Sequence, residues 1–169
     1  APEVGVYEKA VSALESLLFA KYQMFRNVYW HHGVRAAAAL YKRIINEAVR
    51  ANILDAEELV GPTDEELLYE TARRAQATDT EVGERLATRW LPALRARRLP
   101  KRALEVTAAE LGGRVVENWV LSETSLKRSV EDSLADEVGL ESGEVFIDFP
   151  AKRAMFQLNL LVERRSGQG

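Results

Sequence analysis

The sequence contains no cysteine among its 169 residues. This absence excludes disulfide bonds and thiol chemistry and agrees with a reducing compartment, so we expect a cytoplasmic protein. No apolar run approaches the roughly 18 residues of a membrane span, and no signal-peptide pattern opens the chain. The net charge of −3 leaves no overall basic field for nucleic acid. We therefore expect neither a membrane partner nor specific binding to nucleic acid.

Recognisable catalytic motifs are also missing. The sequence has no glycine-rich phosphate loop, no GxSxG motif and no HExxH motif. Its two histidines, His31 and His32, are neighbours. Neighbouring helical residues point about 100° apart, so this pair is poorly placed to share one metal ion. No carboxylates are spaced to complete a ligand set. We predict no catalytic residue, metal ligand or cofactor in this chain.

Helical periodicity is what the first half of the chain does contain. It runs over residues 7–53, and we expect Gly33 to kink or break this long helix. A stripe at steps of three or four residues predicts a helix seated in a core. The stripe consists of Leu14, Leu18, Lys21, Phe25, Val28, His32, Ala36 and Ala39. The stretch after Gly33 repeats the pattern, with four inward side chains: Leu40, Ile44, Ile45 and Val49.

Two further helices are predicted before residue 98. Thr63 and Glu66 have the spacing of a capping box and predict a helix start, with Leu67 and Leu68 facing the core. A shorter helix is expected over residues 80–94, ended by Pro92.

The remainder of the chain predicts a different kind of structure. Alternating residues predict strands at 102–107, 143–150 and 156–165. Between the first two strands, an amphipathic helix is expected to end at Gly139, with one apolar face made of Leu126, Val130, Leu134 and Val138. The predicted fold is therefore mainly α with a small α+β C-terminal lobe, in which long central helices precede a strand–helix–strand–strand order. We expect a helical region at 1–98 and the lobe at 99–169.

Two groups of side chains could bind a ligand. Lys21 and Tyr29 lie eight residues apart, about 12 Å along a helix. An extended phosphorylated ligand could meet the cation at one end and the phenol at the other. Alternatively, Lys21 reaches solvent and Tyr29 is an ordinary amphipathic residue. The second group is a cationic patch suited to phosphate or an acidic partner, or simply a solvated charge run: Arg97, Arg98, Lys101 and Arg102.

Three stretches resemble one known family. AKYQMFRNVYWHHGVRA at 20–36 is similar to a helix of HD-domain phosphohydrolases of the deoxynucleoside-triphosphate triphosphohydrolase type. RRLPKRALE at 97–105 resembles the basic segment before that family's C-terminal lobe, and EVFIDFP at 144–150 resembles a strand of the lobe. The chain matches the family downstream of its HD motif, so the resemblance implies that the divalent metal and the hydrolysis belong to a missing N-terminal half.

The resemblance also assigns roles to individual residues. It implies that Lys21 contacts substrate phosphates and that Tyr29 packs beside the sugar of a dNTP-like nucleotide. It places Arg97 and Lys101, with the pair His31 and His32 nearby, at a regulatory nucleotide site between subunits of a homo-oligomer. At position 21 the family has Arg, whose guanidinium can donate two parallel hydrogen bonds to a phosphate, and Lys21 cannot do so. At position 32 the family has Lys in place of His32.

Three functions from different classes are therefore open. The first is the non-catalytic C-terminal portion of an HD-domain phosphohydrolase, inactive alone and contributing a substrate-lining helix and an oligomer or regulatory lobe. The second is a helical interaction module whose basic patch at 95–102 meets an acidic partner, with no nucleotide role. The third, a complete small enzyme, is the least favoured because catalytic residues are so few. An HD doublet in the upstream reading frame would separate the first from the others.

Overall fold

The protein is mainly helical, as the periodicity predicts. The computed structural model describes residues 5–107, 109–112, 119–120, 124–149 and 161–163. The chain forms two compact units, one made of Ala1–His31 with Pro150–Gly169 and the other of His32–Phe149. These units do not coincide with regions 1–98 and 99–169, and that division stays a prediction.

The first unit combines a short strand pair with one helical run. Its elements are β1 (Gly5–Tyr7), a 3-10 turn (Glu8–Ala10), α1 (Val11–Met24), a π-helical turn (Phe25–Tyr29) and β2 (Leu161–Glu163). The two strands pair in parallel, with Val6 opposite Val162. β2 lies inside the strand predicted at 156–165, whose other residues fall outside the described part of the chain. β1 was not predicted, because three residues are too short a run to show alternation.

The core stripe predicted along α1 is wrong for this unit. None of the residues 11–24 is buried, and the stripe members Lys21 and Val28 are exposed, Val28 by 50%. Beside the stripe, Leu17 and Phe19 are 65% and 58% exposed. Apolar side chains occupy consecutive positions from Leu17 to Phe19, so they surround the helix instead of forming one face. No single packing surface in the described part of this unit can cover all of them.

The long helix breaks slightly before the predicted position. The run ends with the π-helical turn, in which the Trp30 N–H donates to the Phe25 carbonyl oxygen at 2.8 Å. Helix α2 then begins at His32, so the break lies at Trp30 and His31 and Gly33 belongs to the first turn of α2. The Phe25 ring lies 4.9 Å from the Tyr29 ring and 6.3 Å from the Trp30 ring, centre to centre. These aromatic contacts accompany the wide turn, which the glycine rule did not anticipate.

The second unit is a cluster of helices. Its elements are α2 (His32–Arg50), a 3-10 turn (Ala56–Leu59), α3 (Asp64–Gln76), α4 (Glu81–Arg85), a π-helical turn (Leu86–Trp90), α5 (Leu91–Arg95) and α6 (Thr124–Glu137). The capping box at the start of α3 is confirmed. The Thr63 N–H donates to the Glu66 carboxylate at 2.7 Å, and the Glu66 N–H donates to the Thr63 hydroxyl at 3.3 Å.

Pro92 does not end the helix predicted at 80–94. Helical structure continues from Glu81 to Arg95, and Pro92 lies in the first turn of α5. A proline at that position loses little, because the first N–H groups of a helix have no partner within it. The π-helical turn Leu86–Trp90 lies between α4 and α5, so Pro92 falls at the start of a new α-helix and not in the interior of one.

The core of the second unit joins α2, α3 and the 81–95 helical run. The predicted inward positions Leu40, Ile44 and Ile45 are buried, and Val49 packs against them. Leu67 and Leu68 are buried as predicted. The remaining buried members of this core are Ala48, Ile53, Leu54, Ala75, Leu86, Trp90 and Leu91.

The predicted α+β lobe is corrected in its strands. Residues 102–107 and 143–149 are irregular, while α6 is a helix as expected. Gly139 ends α6 with φ +72°, and the Leu140 N–H donates to the Ala135 carbonyl oxygen at 2.8 Å. An alternating segment forms a strand only when a neighbour supplies hydrogen bonds, and here the Ile147 N–H donates to the Glu131 carboxylate instead, at 2.7 Å.

Helix α6 turns its polar side inward. Its buried residues are Glu131 and Ala135, whereas Leu126, Leu134 and Val138 are 43%, 40% and 66% exposed. The sequence correctly groups the apolar residues on one face. It does not reveal that the neighbouring face, which carries Glu131 and Ala135, is the one that packs in this unit.

Candidate functional site

The two residues predicted to bind substrate lie on one helical run in the first unit. Lys21 is in the last turn of α1 and Tyr29 closes the π-helical turn. Both are exposed, and Tyr29 keeps 50% of its surface accessible. Because the Lys21 ammonium is exposed to solvent, it does not pay the desolvation free energy of an unpaired buried charge, and the fold does not have to supply a buried counter-charge. Their role toward substrate stays a prediction.

The histidine pair lies at the helix break. His31 closes the break, where its N–H donates to the Val28 carbonyl oxygen at 3.2 Å, and His32 opens α2. Both side chains are exposed. Among the residues that the structure describes, no three His, Asp or Glu side chains are grouped to hold a metal ion. A regulatory role for this pair stays a prediction.

The basic patch is exposed but partly neutralised. Arg97 and Lys101 are exposed beyond the end of α5. Arg97 adopts φ +54° just after the helix, a conformation that is uncommon for a residue other than glycine. The Arg95 guanidinium lies 3.4 Å from the Glu65 carboxylate, and Arg102 lies 2.5 Å from Glu105. Within the described part of the chain, Arg97, Arg98 and Lys101 form no such ion pair, so these are the cations of the patch that an incoming anion could meet.

An ion pair joins two of the stretches that carry the family resemblance. Arg35 follows the histidine pair, and Asp148 lies in the segment EVFIDFP. The Arg35 guanidinium donates two hydrogen bonds to the Asp148 carboxylate, both at 2.6 Å. This bidentate geometry fixes one segment against the other. Sequence reasoning quoted both residues within motifs but did not nominate either as a site residue, since a contact across 113 positions leaves no local signal.

A second set of charges ties α2 to α6 in the interior. We call Arg43, Glu47, Arg128, Glu131 and Asp132 the buried ion cluster. Arg43, Glu47 and Glu131 are 7%, 3% and 3% exposed. Arg43 reaches Glu131 at 3.2 Å and Glu47 at 3.5 Å, and Arg128 reaches Glu47 at 3.0 Å and Asp132 at 3.6 Å. Carboxylates and guanidinium groups thus alternate across the helix pair.

The buried ion cluster also holds the segment that follows α6. Glu131 accepts the Ile147 N–H at 2.7 Å, and Asp132 accepts the Gly143 N–H at 3.0 Å. The Arg43 guanidinium lies 5.7 Å from the centre of the Phe146 ring. Arg43 Nη2 is close enough to Glu131 for an ion pair, yet Nη2 and Nε make no well-aligned hydrogen bond. With its carboxylates already paired, this arrangement serves to fix helices and offers no free acid or base.

Two surface depressions lie in the second unit. One has a volume of about 770 Å³ and lies over the start of α3, where Tyr69, Glu70 and Arg74 form part of its wall. The other, of about 480 Å³, lies beside the buried ion cluster. Its lining charges cancel, because Arg50 and Arg128 face Asp132 and Asp136. Neither contains a predicted site residue.

Comparisons with known proteins place this chain beside HD-domain proteins. The family described as "HD associated region" matches residues 3–168. An uncharacterized protein of Methanocaldococcus jannaschii is 36% identical over 62 residues. That match covers 37% of this chain and 14% of the relative, so the chain spans far less than two thirds of the relative's length. No solved structure matches the chain. Within the described ranges, no helix combines the length and apolar character that crossing a membrane requires.

Proposed function

This chain belongs to the family of HD associated regions, and on that premise we propose that it is the non-catalytic part of a metal-dependent HD-domain phosphohydrolase. In this proposal the HD domain precedes it in the same protein and holds the divalent metal. The chain contributes the helical run of α1 and its π-helical turn to the substrate site. The substrate is a dNTP-like nucleotide, as in triphosphohydrolases of the type that the sequence resembles.

The family match over residues 3–168 is the observation that carries this proposal. It covers nearly the whole chain, so the helices and the segments after them are all accounted for by an HD-associated role. The exposed apolar surface of α1 supports a position against another domain. Leu17, Phe19 and Met24 are 65%, 58% and 52% exposed, and a helix that is apolar on several sides is normally covered in the complete protein.

The chemistry of the described residues supports a non-catalytic role. Hydrolysis by a metal-bound water needs protein ligands that hold the ion and leave one position open. The residues that the structure describes provide no such group of His, Asp and Glu. Their buried acids, Glu47 and Glu131, are engaged in ion pairs with arginines.

In the proposed complex, the exposed polar residues act on the ligand. Lys21 pairs with a phosphate of the nucleotide and Tyr29 packs beside its sugar. Arg97 and Lys101, with His31 and His32, are assigned to a regulatory nucleotide in the oligomer. The exposure of Arg97 and Lys101 supports this assignment, because neither guanidinium nor ammonium is taken up by an ion pair within the described residues.

Metal-dependent hydrolysis of dNTPs tests the proposal. The purified chain and the full-length protein are assayed side by side with Mg²⁺, Mn²⁺ or Co²⁺. We expect turnover by the full-length protein and none by the chain alone. Metal-dependent turnover by the chain, copurifying with it through several columns, would contradict the proposal. So would a full-length protein that lacks an HD doublet.

A further inference from the structure

The π-helical turn Phe25–Tyr29 changes which side chains share a side of the first helical run. In an α-helix, residues five positions apart point about 140° away from each other. Here the Trp30 N–H donates to the Phe25 carbonyl oxygen at 2.8 Å, a step of five residues, so this turn holds one residue more. The Phe25 ring therefore contacts both Tyr29 and Trp30, with ring centres 4.9 Å and 6.3 Å away. The wide turn brings Trp30 to the side of the helix that Tyr29 occupies.

Trp30 is an exposed aromatic side chain with surface to spare. It keeps 41% of its surface accessible, and Tyr29 beside it keeps 50%. The Trp30 and Phe25 ring planes meet at 69°, and an edge-type contact of this kind covers at most one face of the indole. Flat aromatic faces are the surfaces on which proteins stack nucleobases, because every base has a flat π-face of its own.

The charges of this helical run suit an anionic partner. No aspartate or glutamate occurs from residue 16 to residue 46, although the whole chain has a net charge of −3. Within the first unit, this stretch supplies two exposed cations, Lys21 and Arg26. Exposed rings beside cations, with no acid among them, are the combination that binds bases together with phosphates. A purely apolar contact with another protein domain would not require this bias of charge.

The order of these side chains along the helix matches the order of the parts of a nucleotide. Lys21 lies four residues before Phe25 and on the same side of the helix, and the Phe25 ring contacts the two rings that follow it. In the function proposed above, Lys21 meets the phosphates and Tyr29 lies beside the sugar. The base comes after the sugar in a nucleotide, which places it beside the next ring, that of Trp30. We propose that Trp30 stacks on the base of the nucleotide and contributes to substrate preference, an inference that rests on the proposed function.

Substitution of Trp30 in the full-length protein tests the stacking. Trp30→Leu keeps an apolar side chain beside Phe25 but removes the aromatic ring. We expect it to lower kcat/KM by about tenfold for dATP and dGTP and by about threefold for dCTP and dTTP, because purines present the larger stacking surface. Trp30→Phe retains an aromatic ring and should keep most of the activity. Tyr69→Leu removes a 64% exposed ring from α3 and should leave kcat/KM unchanged.

A base-free inhibitor separates stacking from packing. Deoxyribose triphosphate has the sugar and phosphates of a dNTP but no base, so its inhibition constant should stay within about twofold in Trp30→Leu. The melting temperature should stay near wild type, because Trp30 is exposed.

Three results would overturn the role of Trp30 and leave the proposed function standing. They are normal kinetics in Trp30→Leu, equal losses for all four dNTPs and the base-free inhibitor, and a Trp30→Leu protein that unfolds because the ring is structural. A full-length protein that hydrolyses no dNTP would overturn both proposals.

Discussion

Gly143 lies where a side chain has no room. It adopts φ +83°, and a Cβ added to it would come within 2.6 Å of the Trp90 ring. Trp90 is a buried member of the core, so the ring cannot move away freely. We expect Gly143→Ala to lower the free energy of unfolding by about 2–4 kcal/mol, from the left-handed backbone and from the overlap together.

Gly139→Ala is the matched control for that substitution. Gly139 has φ +72° but nothing within 4 Å of an added Cβ, so only the backbone cost remains. This variant should lose about 1–2 kcal/mol. Urea unfolding of both proteins gives the comparison. Equal losses would show that contact with Trp90 does not constrain position 143.

A substitution at Lys21 distinguishes a ligand-binding role of this residue from a structural one. Because its side chain is exposed, Lys21→Ala should leave the melting temperature nearly unchanged. In the full-length enzyme we expect it to reduce kcat/KM for a dNTP by about tenfold or more, the loss of one charge-assisted contact. Tyr29→Phe should do less if the ring only packs against the sugar. A Lys21→Ala enzyme with normal kinetics would remove Lys21 from the substrate site.

At the scale of helices, α2 and α6 depend on a buried arginine. Removing one partner of a buried pair leaves the other charge uncompensated, which costs about 3–5 kcal/mol. Arg43→Met leaves Glu131, which is 3% exposed, with one long ion pair to Lys127 at 3.7 Å among the described residues, whereas Glu47 keeps Arg128 at 3.0 Å. We therefore expect a loss near the lower end of that range. Arg73→Met is the control, because Arg73 pairs with Glu70 at the surface and such pairs contribute about 1 kcal/mol or less. Losses of equal size would contradict the importance of the buried ion cluster.

Ion pairs on α3 predict a specific response to acid. Hydrogen bonds from Arg73 and then Arg74 lower the pKa of Glu70 to about 2. Arg74 lowers the pKa of Glu58, with help from the Asp55 N–H. Lowered carboxyl pKa values give stability that is present above the unfolded pKa, near 4.5, and is lost as the pH falls toward the folded value.

The pH dependence of Arg74→Gln tests this response. The wild type should lose melting temperature steadily between about pH 4.5 and about pH 2. In Arg74→Gln the loss over that interval should be smaller, because Glu58 loses its main partner while Glu70 keeps Arg73. Parallel curves for the two proteins would show that these carboxyl groups titrate alike in the folded and unfolded states.

The helices and some of their ends could be read from local sequence, because caps and periodicity act over a few residues, but the break before His32 and the passage through Pro92 could not. The capping box at Thr63, the end of α6 at Gly139 and the inward residues of α2 all follow from such rules. Of the strands, β2 lies inside a predicted strand, but residues 102–107 and 143–149 do not form one. Strand pairing depends on a distant neighbour, and two backbone N–H groups of 143–149 bond to side chains of α6 instead. The polar packing face of α6 and the Arg35–Asp148 pair depend on contacts about 90 to 110 positions away.

For the molecule as a whole, the candidate site depends on more than this chain. The motifs predicted a resemblance to HD-domain phosphohydrolases, and the family match supports the broader link to HD-domain proteins. The roles of Lys21, Tyr29, Arg97 and Lys101 stay predictions, because the substrate and the metal would come from outside the described residues. In the proposed enzyme, the apolar surface of α1 is the feature that an HD domain would cover.

The accessibility of α1 in the full-length protein therefore tests the central claim. The chain has no cysteine of its own, so Leu17→Cys places a single thiol on the apolar surface of α1, and Val60→Cys places one at an 86% exposed control position. Maleimide labelling at each site is followed by mass spectrometry of the modified peptide.

In the isolated chain both thiols should react quickly. If an HD domain covers α1, labelling at position 17 should slow by about tenfold or more in the full-length protein, while position 60 stays fast. Equal rates at position 17 in the two proteins would show that α1 remains uncovered, and would contradict the proposal that this chain completes the active site of an HD-domain enzyme.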